Sequence, residues 1–444
     1  MEQVLIKAAQ LILSLSLLVI LHEFGHFAFA RLFKTRVEKF YLFFDPWFSL
    51  FKVKKGDTEY GVGWLPLGGY VKISGMIDES MDKEAMSQEP QPWEFRSKKA
   101  YQRLLIMIGG VLMNFILAFV IYIAILYAYG TEYLPTASAK YGIMVNEAAE
   151  EIGLHNGDKI LAVDGQYIEN FQKILPTIVL DKAQSITVDR NGEKVDVAIT
   201  DDHLVPLIKG QVTISPRYLF DCSVAKIVKD SPAAEAGLQK GDEFVGVDGQ
   251  NFRFYDEFIN YLRDHKEQTV VLNLLRNQQA TDVTATVDAD GKLGFQAEFD
   301  QETMAYLETK TIKYTFAESI PAGITRGINT VKDYLKQFKL IFSPKTKAYE
   351  SLGGFISIGN IFPGAWDWYA FWNMTAFLSI ILGVMNLLPI PALDGGHVIF
   401  LLFEMITGRK PGEKFLEYAQ ITGMIILLGL VLFANANDII KLFN

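Results

Sequence analysis

From residue 4 to residue 30 the chain is apolar and long enough to cross a bilayer, yet His22-Glu23-Phe24-Gly25-His26 stands inside that run. A charged side chain near the bilayer centre costs roughly 2.5–3.5 kcal/mol on insertion scales, so ionisable groups at that depth usually serve a function. On a helix His22 and His26 lie one turn apart on one face and can grip a single cation. Glu23, next to the first histidine, is placed to act as a general base. HExxH in this form is a zinc motif. A chance occurrence would need three separately costly polar placements in an apolar span.

Catalytic zinc usually takes three protein ligands and keeps a fourth position open. A second apolar run, Phe377 to Leu388, leads into Asn386-Leu387-Leu388-Pro389-Ile390-Pro391-Ala392-Leu393-Asp394-Gly395-Gly396-His397. Two prolines and two glycines break a helix here and leave a carboxylate at the break. Irregular backbone at membrane depth survives only where protein or a water-filled cavity surrounds it. Asp394 is therefore the candidate third ligand, against the alternative of a helix N-cap just outside the bilayer. His397 is a further candidate.

With these residues the chain resembles the site-2 protease family of intramembrane zinc metalloproteases, in its branch of regulators of sigma-E protease. The resemblance rests on HEFGH at 22–26, on the stretch from Asn386 to Gly396, and on Pro66-Leu67-Gly68-Gly69-Tyr70-Val71-Lys72. A paired PDZ-like region between the membrane halves completes it, so the match runs almost end to end. Two departures concern loop shape. Gly109-Gly110-Val111-Leu112-Met113-Asn114-Phe115 lacks the family's proline, and Gly353-Gly354-Phe355 stands where a Ser-Gly-Pro segment is common.

Composition agrees with a membrane protein carrying a sizeable soluble part: 50% of residues are hydrophobic and mean hydropathy is +0.18. A net charge of −9 makes nucleic acid an unsuitable partner. Cys222 is the single cysteine, so no intrachain disulfide can form. The N-terminal run is too long for a cleavable signal peptide and carries the metal motif itself. Spans are expected near 4–30, 102–128, 372–393 and 420–435. Basic residues crowd the 31–103 connection (Arg31, Lys34, Arg36, Lys98, Lys99, Arg103) and the 404–419 loop (Arg409, Lys410, Lys414). Both are therefore expected on the cytoplasmic side, with 129–370 and the two termini outside. The resemblance adds the location, a bacterial inner membrane. His22 and Asp394 then fall at the same depth, toward the cytoplasmic face.

The outer region holds an internal repeat. Gly153, Gly157, Asp158, Val163, Asp164 and Gly165 recur as Gly237, Gly241, Asp242, Val247, Asp248 and Gly249, a constant offset of 84 residues. That period with those turn residues means two copies of one small domain. Each resembles a circularly permuted PDZ domain, a fold that binds extended peptide at a sheet edge. Lys292-Leu293-Gly294-Phe295 is a candidate carboxylate-binding loop of the second copy. The copies act either as peptide binders or as size filters, with the second copy leaning to binder. Between spans one and two, residues 59–73 read as a glycine-rich strand pair, either a small surface hairpin or one whose edge takes up an extended peptide, and the resemblance implies the second. Residues 77–94 read as a mobile loop. Residues 322–342 carry Ile324, Ile328, Val331, Leu335 and Phe338 at helical spacing between lysines, an amphipathic helix for the membrane surface. Packing of that helix on the PDZ pair is the alternative.

The expected fold is a polytopic α-helical membrane protein of about four transmembrane helices with a membrane-associated β-hairpin and two inserted α+β PDZ-like domains. Its parts are a first membrane half (1–130), PDZ-like copies at 131–215 and 216–305, an amphipathic connector (306–370) and a second membrane half (371–444). The expected cofactor is Zn2+ on His22, His26 and Asp394, with Glu23 as the catalytic base. The resemblance further implies that Asn386, Asn114, Gly69, Tyr70 and Leu393 hold an unwound substrate strand. The substrates it implies are single-span membrane proteins, such as an anti-sigma factor or remnant signal peptides. A non-catalytic PDZ scaffold with structural zinc is the competing reading, but a structural site has no use for Glu23 and closes its fourth position. A zinc transporter would spread its ligands along a path instead of gathering them at one depth.

Overall fold

A computed structural model describes residues 2–66, 68–76, 89–300, 304–341, 343, 346 and 348–443. The expected loop at 77–94 lies outside the described residues over 77–88. The chain divides into two compact units. One comprises Met1–Thr131, Lys313–Lys339 and Tyr349–Asn444; the other comprises Glu132–Ile312 and Leu340–Ala348.

The long helices of the first unit are α1 (Glu2–Leu32), α2 (Ala100–Tyr129), α3 (Phe316–Ile341), α4 (Trp368–Asn386), α5 (Asp394–Thr407) and α6 (Glu413–Phe443). By length and composition α1, α2, α4 and α6 can each cross a membrane. Small residues let the backbones touch, as membrane helices require when hydrocarbon gives no drive to bury apolar side chains. A Cβ on Gly25 or Gly109 would strike the other helix's backbone, so α1 and α2 cross at that point. Asp367 caps α4 by accepting from the Tyr369 and Ala370 N–H groups at 2.8 and 3.2 Å. The third span ends at Asn386, seven residues before the expected 393, because Pro389 and Pro391 cannot continue a helix. The chain then turns through Ala392, at φ 84°, and re-enters a helix at Asp394.

Four strands, β1 (Val37–Leu42), β2 (Phe44–Lys55), β3 (Thr58–Leu65) and β4 (Tyr70–Ile73), form one sheet in the order β2-β3-β1-β4. Here the expected strand pair at 59–73 is corrected. β3 and β4 do not pair with each other; β1 lies between them, parallel to β3 and antiparallel to β4. Pro66 offers no N–H, and the short link after it carries the chain across the end of β1 rather than back along β3. The hairpin is β2–β3, closed at Gly56-Asp57. β4 is thereby left as an edge strand.

The amphipathic helix begins six residues earlier than expected, at Phe316. It packs on α2: Gly323 meets Ile123, Gly327 meets the Phe119 ring, and Val331 and Tyr334 join the Ala118–Ile125 core. Arg326 donates to Asn373 Oδ1 at 2.7 Å, while Ile324, Ile328 and Leu335 stay exposed.

The second unit holds two hydrophobic cores. Strands β5 (Ile143–Val145), β6 (Lys159–Val163), β7 (Ser185–Arg190), β8 (Glu193–Ala198) and β9 (Ile214–Pro216) surround the core of Ile143, Leu154, Ile178 and Val188. Strands β10 (Cys222–Ile227), β11 (Glu243–Val247), β12 (Thr269–Arg276), β13 (Gln279–Thr286) and β14 (Phe295–Phe299) form one sheet over Val224, Phe258 and Leu272. Its order is β13-β12-β11-β10-β14, so the strand after the Lys292–Gly294 loop is an edge.

Candidate metal centre

His22 and His26 lie on the face of α1 that also buries Gln10, Ser14 and Leu18, so helical spacing aims both rings into the bundle. They are 8% and 5% exposed. Asp394 opens α5 opposite them. Its Oδ2 lies 3.2 Å from His22 Nε2 and 3.4 Å from His26 Nε2, and the two Nε2 atoms are 3.2 Å apart. A tetrahedral ion with bonds of about 2.1 Å has donors about 3.4 Å apart, so these three atoms have the spacing of three tetrahedral corners. Asp394 Oδ2 is buried and makes no hydrogen bond, as an anionic oxygen reserved for a cation would. Two imidazoles and one carboxylate are a donor set that suits zinc. Among the described residues no fourth histidine, cysteine or carboxylate joins the group, which leaves one position for water and substrate. The cap position before α5 belongs to Leu393, whose side chain makes no capping bond.

The site opens into a cavity of about 730 Å³ lined by Glu23, Gly69, Tyr70, Asn386, Leu393 and His397 among others. Of the residues singled out for substrate, Gly69, Tyr70, Asn386 and Leu393 therefore reach the cavity. Asn114 does not: it is fully buried behind His22, with Nδ2 3.1 Å from His22 Nδ1. Asn386 Nδ2 lies 3.3 Å from His22 Nε2, on the cavity side of the same ring. His397 lines the cavity but stands outside the donor group.

Several supporting residues escaped the sequence reading. His26 Nδ1 is 2.8 Å from the Ile106 carbonyl of α2. One turn on, Gly110 runs beneath both rings, and a Cβ there would meet His22 and His26. Nothing local in the sequence marks Gly109-Gly110 as the seat of the two rings. In the same way Gly395 and Gly396 allow α5 to start directly against the carbonyls of Leu387, Leu388 and Ile390. Gly423 of α6 makes room for the Pro391 backbone, and Gln420 Oε1 accepts from the Ala392 N–H at 3.2 Å.

The profile of peptidase family M50 matches residues 10–430. The chain belongs to that family. It is 29% identical to the regulator of sigma-E protease RseP of Salmonella typhimurium, over 100% of both chains. It is 28% identical to the regulator of sigma E protease of Haemophilus influenzae, over 97% of this chain and 98% of the other. A Campylobacter jejuni protein described as a zinc metalloprotease is 30% identical, over 98% of this chain and 93% of its own. A solved PDZ domain from Listeria monocytogenes is 26% identical over 18% of this chain and 87% of that chain, with a TM-score of 0.16. The protein is thus a zinc-dependent, membrane-embedded metalloendopeptidase of the site-2 protease type, a bacterial membrane protein acting in regulated intramembrane proteolysis.

Proposed function

We propose that His22, His26 and Asp394 hold the zinc and that Glu23 is the general base of peptide hydrolysis. The observation that carries this reading is the meeting of three donors at tetrahedral spacing with Glu23 in one cavity of the membrane unit. Zinc bound there supplies Lewis acidity toward the scissile carbonyl and acidifies water. Glu23 takes a proton from the attacking water and passes it to the leaving amine.

The substrates are single-span membrane proteins. A transmembrane helix hides each peptide carbonyl in its own hydrogen-bond ladder, so the substrate must unwind before attack. The edge of β4 supports a place for the unwound strand, because Tyr70 to Ile73 line the cavity and, among the described residues, β4 pairs on one side only. Asn386 faces the same space. The enzyme lies in the inner membrane with the site toward the cytoplasm and the PDZ-like copies outside, as the basic flanks indicate. There the copies admit substrates whose bulky outer domains have already been removed.

Two variants test the assignment, with cleavage of a single-span reporter and zinc content measured on each. Glu23→Gln should abolish cleavage and keep zinc near the wild-type level. Asp394→Asn preserves size and shape but removes the charge, and should lose both zinc and cleavage. Full activity in either variant refutes the role given to that residue.

A further inference from the structure

Asn114 lies one turn beyond Gly110 and two beyond Ile106, on the face of α2 that meets the histidines. It is fully buried, takes no part in lining the cavity, and its own carbonyl is held by Ser379 Oγ at 2.7 Å. We infer that Asn114 is a positioning residue for His22: its side-chain oxygen accepts the proton on Nδ1, which fixes the ring and leaves Nε2 for the metal. This rests on His22 being a ligand, and it moves Asn114 from the substrate strand to the support of the site.

The two rings need the same service. His26 Nδ1 faces a backbone carbonyl, which can only accept, so that nitrogen carries the proton and Nε2 is free. His22 Nε2 likewise points to Asp394 and His26, so its Nδ1 must carry the proton and find an acceptor. The group within reach is the Asn114 amide, at 3.1 Å. Its Oδ1 is buried with no hydrogen bond. Rotating the amide by half a turn exchanges Oδ1 and Nδ2 without changing its shape. No donor among the described residues holds Oδ1 where it stands, so nothing on the oxygen's side opposes that rotation. A proton on Nδ1 selects the oxygen.

The test uses full-length protein in detergent micelles, stripped of metal and titrated with Co2+ against a competing chelator. An ionised Asp in Asn114→Asp can only accept, whereas Asn114→Leu keeps the approximate shape and accepts nothing. Loss of an outer hydrogen bond to a ligating histidine typically weakens metal binding about 10–100-fold, and that loss is expected for Asn114→Leu. Its cobalt visible spectrum should change as well. Asn114→Asp should bind cobalt as tightly as wild type or tighter, with KM for the reporter unchanged. Weakening by Asn114→Asp would mean that the amide donates to His22, and the inference fails. Unaltered cobalt affinity with a raised KM in Asn114→Leu would return Asn114 to the substrate strand. If the leucine variant does not fold, the aspartate variant decides alone, since the two amide orientations predict opposite signs. Wild-type protein that takes up no cobalt would defeat the metal-site reading itself, independently of Asn114.

Discussion

Gly110 shows how far a single absent methyl group reaches. A Cβ on it would meet both imidazoles, and the rings cannot retreat without breaking their outer contacts with Asn114 and Ile106. Gly110→Ala is therefore expected to insert and fold but to lose most of its zinc, measured by metal analysis after dialysis. Retention of full zinc would show that the rings have slack. In the PDZ-like copies the repeated aspartates have a structural use. Asp158 and Asp242 each take a two-pronged ion pair, from Arg190 and Arg276 respectively, and accept from the backbone N–H three residues before them. Burial alone would push the Asp242 carboxyl up, but the Arg276 guanidinium and the Gln239 N–H outweigh it and hold it below the ordinary carboxylate range. A group with a depressed folded pKa stabilises above its unfolded pKa, and that stability is lost as pH falls through the folded value. Asp242→Asn should thus speed amide exchange in β10–β14 at pH 7, with the difference from wild type shrinking below about pH 4. A difference independent of pH would remove the ion pair from the explanation.

At the scale of elements, the decisive piece is the non-helical turn between α4 and α5. It presents Asp394 to α1, and α6 braces it: a Cβ on Gly423 would collide with the Pro391 carbonyl, and Gln420 holds the Ala392 N–H. Overpacking at such a contact costs typically about 1–3 kcal/mol, borne here by the segment that carries Asp394. Gly423→Leu should consequently lower zinc retention and cleavage together, although residue 423 touches neither metal nor substrate. Normal zinc with lost cleavage would point to substrate entry instead. The sheet was legible only in part. Its glycines announced strands over 59–73, but pairing depends on β1, 20 residues from its partners in β3 and 29 to 36 from those in β4, inserting between them. Local pattern gives strands and turns; partner choice is a long-range matter.

For the whole molecule, the basic flanks predict which face each loop occupies. Cysteines replacing the exposed residues Lys159 and Gln250 should react with an impermeant maleimide added outside, and one replacing the exposed Lys410 only after the inner face is opened. The reverse pattern would invert the orientation. The native thiol leaves this experiment clean, because burial pushes Cys222 up to about 12 and little thiolate exists near neutrality.

The chemistry of this protein was readable in the linear chain. HExxH in a membrane-length run, a carboxylate at a proline- and glycine-made helix break, and a glycine–aspartate repeat each combine residue type with short spacing, which is information the sequence holds directly. The span count followed for the same reason, since apolar length is a local property. Tertiary structure alone decided that Asp394 Oδ2 comes to within 3.2 and 3.4 Å of both histidines, that Asn114 stands behind His22 and not in the cavity, and that β4 is an edge strand among the described residues. These are contacts between residues 92 to 372 positions apart or choices among competing partners, and no local pattern encodes which of several compatible packings the chain adopts.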